Sequence, residues 1–170
     1  MGKTLYTIIS GTNRKSSNTI NIARQYKHIL AEMGITANLV SLEGMDLNLR
    51  NKELEELEIR LLIPTAKFIF IAPEYNGSIP GVLKSLIDNS DIKKVWWNKK
   101  ALLTGVSTGR AGNLRGMEHL TGILQYVKMH VHHNKLPISV IDKLVWKDRE
   151  IRDESTLKAI HLQLKEFIDY

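Results

Sequence analysis

The 170-residue chain has no cysteine, which excludes disulfides, thiolate metal sites and a cysteine nucleophile and accords with a reducing compartment. Long apolar runs are also missing. Stretches such as Phe68 to Ala72 fall far short of a bilayer span. No basic-then-apolar leader with a small-residue cleavage site opens the sequence, so a cytoplasmic protein without membrane attachment is expected. Proline is scarce, at four residues. No low-complexity stretch, internal repeat or linker divides the chain, and one domain over 1–170 is expected. Negative charge is in the minority: 18 acidic residues face 24 Lys and Arg, for a net charge of +6. The basic residues are dispersed, as in Arg14-Lys15, Lys93-Lys94 and Lys99-Lys100, with no dense block and no one-sided basic helix. Nucleic acid is therefore not an expected partner, and a diffuse positive field suits anionic cofactors and substrates.

What the chain does have is an end-to-end alternation of strand-like and helix-like segments. Leu5 to Ile9, Ile35 to Leu42, Phe68 to Ala72, Ala101 to Val106 and Met129 to His132 read as five strands. Between them, Ile20, Ala23, Tyr26, Leu30 and Met33 recur at helical spacing, closed by Gly34. Glu53 to Leu62 reads as a short charged helix stopped by Pro64, and another starts near Pro80. Leu114, Met117, Leu120, Leu124 and Val127 form a further stripe, and Leu157, Ile160, Leu164 and Phe167 face inward from a closing helix. Such alternation implies an α/β doubly wound parallel sheet covered on both faces. For five strands the common order is 2-1-3-4-5, with ligands bound beyond the carboxyl ends of strands 1 and 3.

The unusual loops fall at those two positions. After strand 1, Ser10-Gly11-Thr12-Asn13-Arg14-Lys15-Ser16-Ser17-Asn18-Thr19 offers hydroxyls, an amide, cations and the N-terminus of a helix, which is what a phosphate monoester needs. The same residues also serve as an ordinary helix start, with Ser17 or Asn18 as cap. A nucleotide-hydrolase phosphate loop is absent, since the G-x-x-x-x-G-K-[ST] spacing does not occur. After strand 3, Pro73-Glu74-Tyr75-Asn76-Gly77-Ser78-Ile79-Pro80-Gly81 is stiffened by proline and opened by glycine, and it presents planar polar edges suited to a flat heterocycle. Equally, it reads as a rigid turn whose Tyr75 packs on a neighbouring subunit.

With the Ser107-Thr108-Gly109 turn after strand 4, the G-[ST]-x-R-x-x-S and P-E-Y-N-x-S-x-P-G-x-L-K patterns resemble the NADPH-dependent FMN reductase family, which has a flavodoxin-like fold. The resemblance implies non-covalent FMN, hydride from NAD(P)H, and a quinone, azo compound, metal oxyanion or free flavin as acceptor. It implies a phosphate site around Ser10, Arg14, Ser17, Asn18 and Thr19, to which the loop's own chemistry adds the Thr12 and Ser16 hydroxyls. Pro73, Glu74, Tyr75, Asn76 and Gly77 would line the ring edge, with Ser107, Gly109 and Arg110 reaching it from the third loop. Arg14, Lys15, Arg110 and Arg115 are candidates for attracting the nicotinamide nucleotide. The flavin carries the chemistry, so no catalytic acid or base is expected. A homodimer or homotetramer is implied, with the helices after strands 3 and 4 at the interface. Two features depart from the family pattern: Glu43 to Asn51 is short and proline-free, and the usual Gly-Gly of the third loop is Gly112-Asn113.

Other groupings point to less. His130-x-His132-His133 places two histidines on one strand face without a carboxylate nearby in sequence, so no metal site is expected. Trp96-Trp97 is expected to fill a gap between helix and sheet, and the Glu53, Glu55, Glu56, Glu58 run to form a solvated face. No G-x-S-x-G elbow supports a hydrolase. Two alternatives to a reductase stay open at this level: a flavodoxin-type electron carrier, which is usually acidic, and a non-catalytic interaction module of the same fold.

Overall fold

The computed structural model describes residues 4–146 and 149–170; the expectation of a leaderless start concerns residues 1–3 as well, which lie outside the described residues. Among the described residues six strands, β1 (Tyr6–Ser10), β2 (Ala37–Ser41), β3 (Lys67–Pro73), β4 (Lys100–Val106), β5 (His130–Val131) and β6 (Leu136–Ile138), form one parallel sheet. Its order is β2-β1-β3-β4-β5, as the alternation of segments predicts, and β6 is a further strand paired to β4. Successive side chains of a strand point to opposite faces. In β3, Phe68, Phe70 and Ala72 accordingly enter one apolar layer, while Ile69 and Ile71 enter the other.

Among the described residues, six α-helices cover these faces: α1 (Asn18–Glu32), α2 (Lys52–Leu57), α3 (Gly81–Asn89), α4 (Ile92–Val95), α5 (Leu114–Tyr126) and α6 (Glu154–Asp169). The layer with Phe68 and Phe70 packs against Leu54 of α2, Leu83 and Leu86 of α3, and Leu120 and Leu124 of α5. The opposite layer takes Ile22 and Tyr26 of α1 with Ile160, Leu164 and Phe167 of α6. Tyr26 anchors α1 from below: its hydroxyl meets Thr104 Oγ1 at 2.9 Å and donates to Gln163 Oε1 at 2.8 Å. Complete burial pushes that phenol's pKa above its usual value. The N-terminus of α1 is thereby held beside the end of β1. Among the described residues, no helix is long and apolar enough to cross a membrane.

Some details differ from the sequence reading. The fifth strand is two short pieces, because the chain leaves the sheet edge between Val131 and Leu136. Glu58 is not solvated like its neighbours: it is buried beyond α2 in a π-helical turn (Glu58–Leu62) and paired with Arg50. Leu114 heads its apolar stripe but is exposed. Trp96 fills the space over Phe68 and Phe70, as expected, although a short helix, α4, precedes it. The half-buried Trp97 ring carries the ammonium groups of Lys93 and Lys128 at 5.4 and 3.9 Å from its centroid.

Candidate functional site

The loops after β1, β3 and β4 converge at the carboxyl end of the sheet. Ser17 closes the N-terminus of α1, accepting the Ile20 N–H at 3.3 Å, so the helix-cap reading of this residue is correct. Capping does not remove it from the site. Ser17, Asn18 and Thr19 line a cavity of about 220 Å³ together with Thr12, Arg14 and Lys15. First-turn N–H groups of a helix lack intrahelical acceptors and point along its axis, so an anion is favoured there.

The opposite wall of this cavity is Pro73, Glu74, Tyr75, Val106, Ser107, Thr108 and Ile141. Tyr75 ties two loops together: its hydroxyl meets Thr12 Oγ1 at 2.6 Å, and the Arg14 guanidinium lies 4.1 Å from its ring centroid. Asn76-Gly77 forms the tip of a two-residue turn in which Tyr75 and Ser78 exchange backbone hydrogen bonds at 2.9 and 3.0 Å. Both tip residues have positive φ, 51° and 75°, the geometry for which Asn-Gly is the favoured pair. A second cavity of about 390 Å³ shares Glu74, Ser107 and Thr108 with the first and continues along Asn76, Gly77, Gly109, Arg110 and Ala111.

The third loop is braced internally. Ser107 Oγ donates to Gly109 O at 2.8 Å and accepts the Gly112 N–H at 2.9 Å, so its hydroxyl organises the loop. Asn113, where the family pattern has glycine, takes up glycine's left-handed conformation at φ 63°. Its side-chain amide then donates to Ala72 O and Pro73 O at 3.0 and 3.1 Å, fastening the third loop to the end of β3. Gly116 makes room for this, since a Cβ there would sit 2.0 Å from Asn113 Oδ1.

Thirteen of the fifteen residues singled out from the sequence therefore line the two cavities. Ser10 and Ser16 do not. Ser10 is buried at the end of β1, with no partner for its hydroxyl among the described residues. Ser16 is exposed, and its carbonyl accepts from Arg149 Nη1 at 2.7 Å. Val106, Thr108, Ala111 and Ile141 were not foreseen as lining residues, and Lys15 was named only as a candidate for attracting the nicotinamide nucleotide. Val106 is the last residue of β4, so the rule that ligands sit beyond strand ends would have found it. No motif marks Ile141. It arrives through backbone hydrogen bonds from Val140 and Ile141 N–H to Gly109 O and Ser107 O.

The donor set fits FMN. Hydroxyls, a helix N-terminus and two cations at one end match a phosphate monoester, and a stiff, narrow wall of loop backbone at the other end matches a flat ring. A family model for NADPH-dependent FMN reductase matches residues 5–140. The chain belongs to that family. FMN and a nicotinamide nucleotide are the redox partners that go with membership in this FMN reductase family. The sequence is 24% identical over 160 residues to a 2-hydroxy-1,4-benzoquinone reductase of Burkholderia sp, covering 83% of this chain and 85% of that protein. It is 30% identical over 100 residues to an NAD(P)H-dependent FMN reductase of Pseudomonas aeruginosa, covering 57% of this chain and 54% of that protein. Among solved structures, a flavoenzyme NAD(P)H:(acceptor) oxidoreductase from Paracoccus denitrificans superposes with a TM-score of 0.77 at 23% identity. That match covers 99% of this chain and 97% of the other.

Proposed function

We propose that this chain is a single-domain cytoplasmic reductase that uses NAD(P)H to reduce a small planar acceptor, with a quinone as the favoured class. FMN, when bound, supplies hydride acceptance and two-electron delivery. The protein contributes binding and orientation. Arg14, Lys15, the Thr12, Ser17 and Thr19 hydroxyls and the α1 N-terminus hold the phosphate. The Pro73–Gly77 segment and the Gly109–Arg110 turn flank the ring. The observation that carries this reading is the convergence of three loops, separated in sequence, on two adjoining cavities at the switch point of the sheet. The quinone class is supported by the Burkholderia relative, which matches over most of both chains. Azo compounds, metal oxyanions and free flavin are the competing acceptors.

The working unit is proposed to be a homodimer. An apolar groove of about 790 Å³ runs between α3 and α5, lined by Ile79, Ile87, Ile123 and Val127, with Tyr126 at its rim 86% exposed. Ser78 Oγ meets His119 Nδ1 at 2.8 Å, so this face adjoins the ring loop.

Flavin fluorescence titrations test the phosphate site. Arg14→Ala is expected to weaken FMN binding at least about tenfold, the scale of a lost charge-assisted contact. Riboflavin, which has no phosphate, should bind wild type and variant alike. An equal loss for both ligands would place Arg14 outside the phosphate site.

A further inference from the structure

The sheet edge is interrupted at a place the reductase chemistry does not use. From the pair Ala101–Val131 to the pair Thr104–Leu136, β4 advances three residues while the edge chain advances five. The surplus bulges out, and a bulge re-aims side chains that strict alternation would send to opposite faces. The adjacent rings of His132 and His133 consequently lie together, with centroids 4.3 Å apart and planes at 35°. Helix α6 brings Glu166 alongside. One ligand atom from each of the three side chains lies within 4.8 Å of the others.

We propose that His132, His133 and Glu166 form a binding site for a borderline divalent transition metal such as Zn²⁺, separate from the flavin site. Two imidazoles and a carboxylate are a ligand set such ions accept, leaving a further position for water. The surroundings already orient the ligands. Buried His132 is held edge-on by Phe167 and Tyr170, at centroid distances of 5.9 and 4.9 Å. Asn134 Nδ2 donates to Glu166 Oε2 at 2.6 Å, which fixes the carboxylate and leaves its other oxygen for the ion. Asn134 is itself held, its carbonyl accepting from Gln163 Nε2 at 2.9 Å. Hydrogen-bonded outer groups of this kind are what hold metal ligands in place. Exposed His133 gives access from solvent. Lys67, whose charge opposes a cation near His132, has its ammonium directed at the carbonyls of Phe167 and Ile168, both at 2.9 Å.

The site lies well away from the cavities: His132 N–H donates to Ala101 O, near the start of β4, whereas the candidate loops leave its far end. A bound ion would therefore clamp the interrupted edge to α6, without touching the flavin. The hydrogen bonds also give a signature. The Asn134 N–H donates to His132 Nδ1 at 3.3 Å. A metal at Nδ1 displaces that donor, and a metal at Nε2 drives the ring proton to Nδ1, where it faces the same N–H. Either way Asn134 loses its acceptor.

The test is titration of the tag-free, FMN-loaded full chain with ZnCl₂, followed by calorimetry and by amide NMR. The expected result is saturation at one equivalent with a large shift of the Asn134 amide. Glu166→Gln and His133→Ala should each weaken binding at least about tenfold with FMN affinity unchanged. His130→Ala, on the exposed strand before the bulge, should bind as wild type. Absence of saturable binding, an unmoved Asn134 amide, or unchanged affinity in both ligand variants would overturn the proposal.

Discussion

Asn113 concentrates several constraints of the site in one side chain. It has to sit in a left-handed conformation, bridge to two carbonyls of β3 and fit against Gly116. Asn113→Ala removes both hydrogen bonds and leaves a methyl group in a strained backbone, so a loss of about 2–4 kcal/mol is expected. Asn113→Gly relieves the backbone and should lose only about 1–2 kcal/mol. Urea midpoints of the two variants check the order. The family pattern flags this position as a departure; the structure shows it to be a substitute, since asparagine is among the few residues besides glycine that tolerate the conformation. Arg14 is the opposite case. Its type and position were legible, but its stacking on Tyr75 was not, because that contact joins residues 61 apart in sequence through two separate loops.

The short Glu43–Asn51 segment keeps its shape without proline. Arg50 reaches the buried Glu58 with two nitrogens, at 2.9 and 2.7 Å, and also donates to Asn89 O at 3.0 Å. Glu58 in turn accepts the Asp91 N–H at 2.7 Å. Removing one partner of a buried pair costs about 3–5 kcal/mol. Because Arg50 is 41% exposed, solvent screens part of this, and Arg50→Ala is expected to lose about 1–3 kcal/mol by chemical denaturation. Helix α6 depends on its cap. The Asp153 carboxylate accepts from Ser155 Oγ, Thr156 N and Thr156 Oγ1, which holds its pKa below the usual 3.8. A carboxyl depressed in the folded state contributes stability that is present above its unfolded pKa and lost as pH falls through the folded one. Thermal unfolding of wild type should therefore fall more steeply below about pH 4 than that of Asp153→Asn, whose side chain still caps but does not titrate. Parallel curves would rule this cap out as a source of acid sensitivity. Most helices and central strands were legible, because burial imposes periodicity on their sequences. The split of β5 from β6 was not: a bulge is set by pairing to β4, and the local pattern from Met129 onward is the same with or without it.

At the scale of the whole molecule, strand order and site position follow from a single geometric rule, and this makes both readable in the sequence. A parallel sheet that reverses direction of winding leaves a crevice beyond strands 1 and 3, and the two unusual loops occupy it. What the sequence left hidden are contributions from outside that frame: Ile141, Arg149 and Glu166 all lie beyond residue 140, where the family match ends. The α3–α5 face carries a prediction of its own. Tyr126→Asp should convert the proposed dimer to a monomer in sedimentation velocity, and a monomeric wild type would remove that part of the proposal. The central claim is tested most directly by an anaerobic spectrum of the protein with FMN, followed by NADPH. A perturbed, bound-flavin band that bleaches within seconds is the predicted result. A bound flavin that stays oxidised, or no bound flavin at all, would contradict a reductase that takes hydride from the nicotinamide.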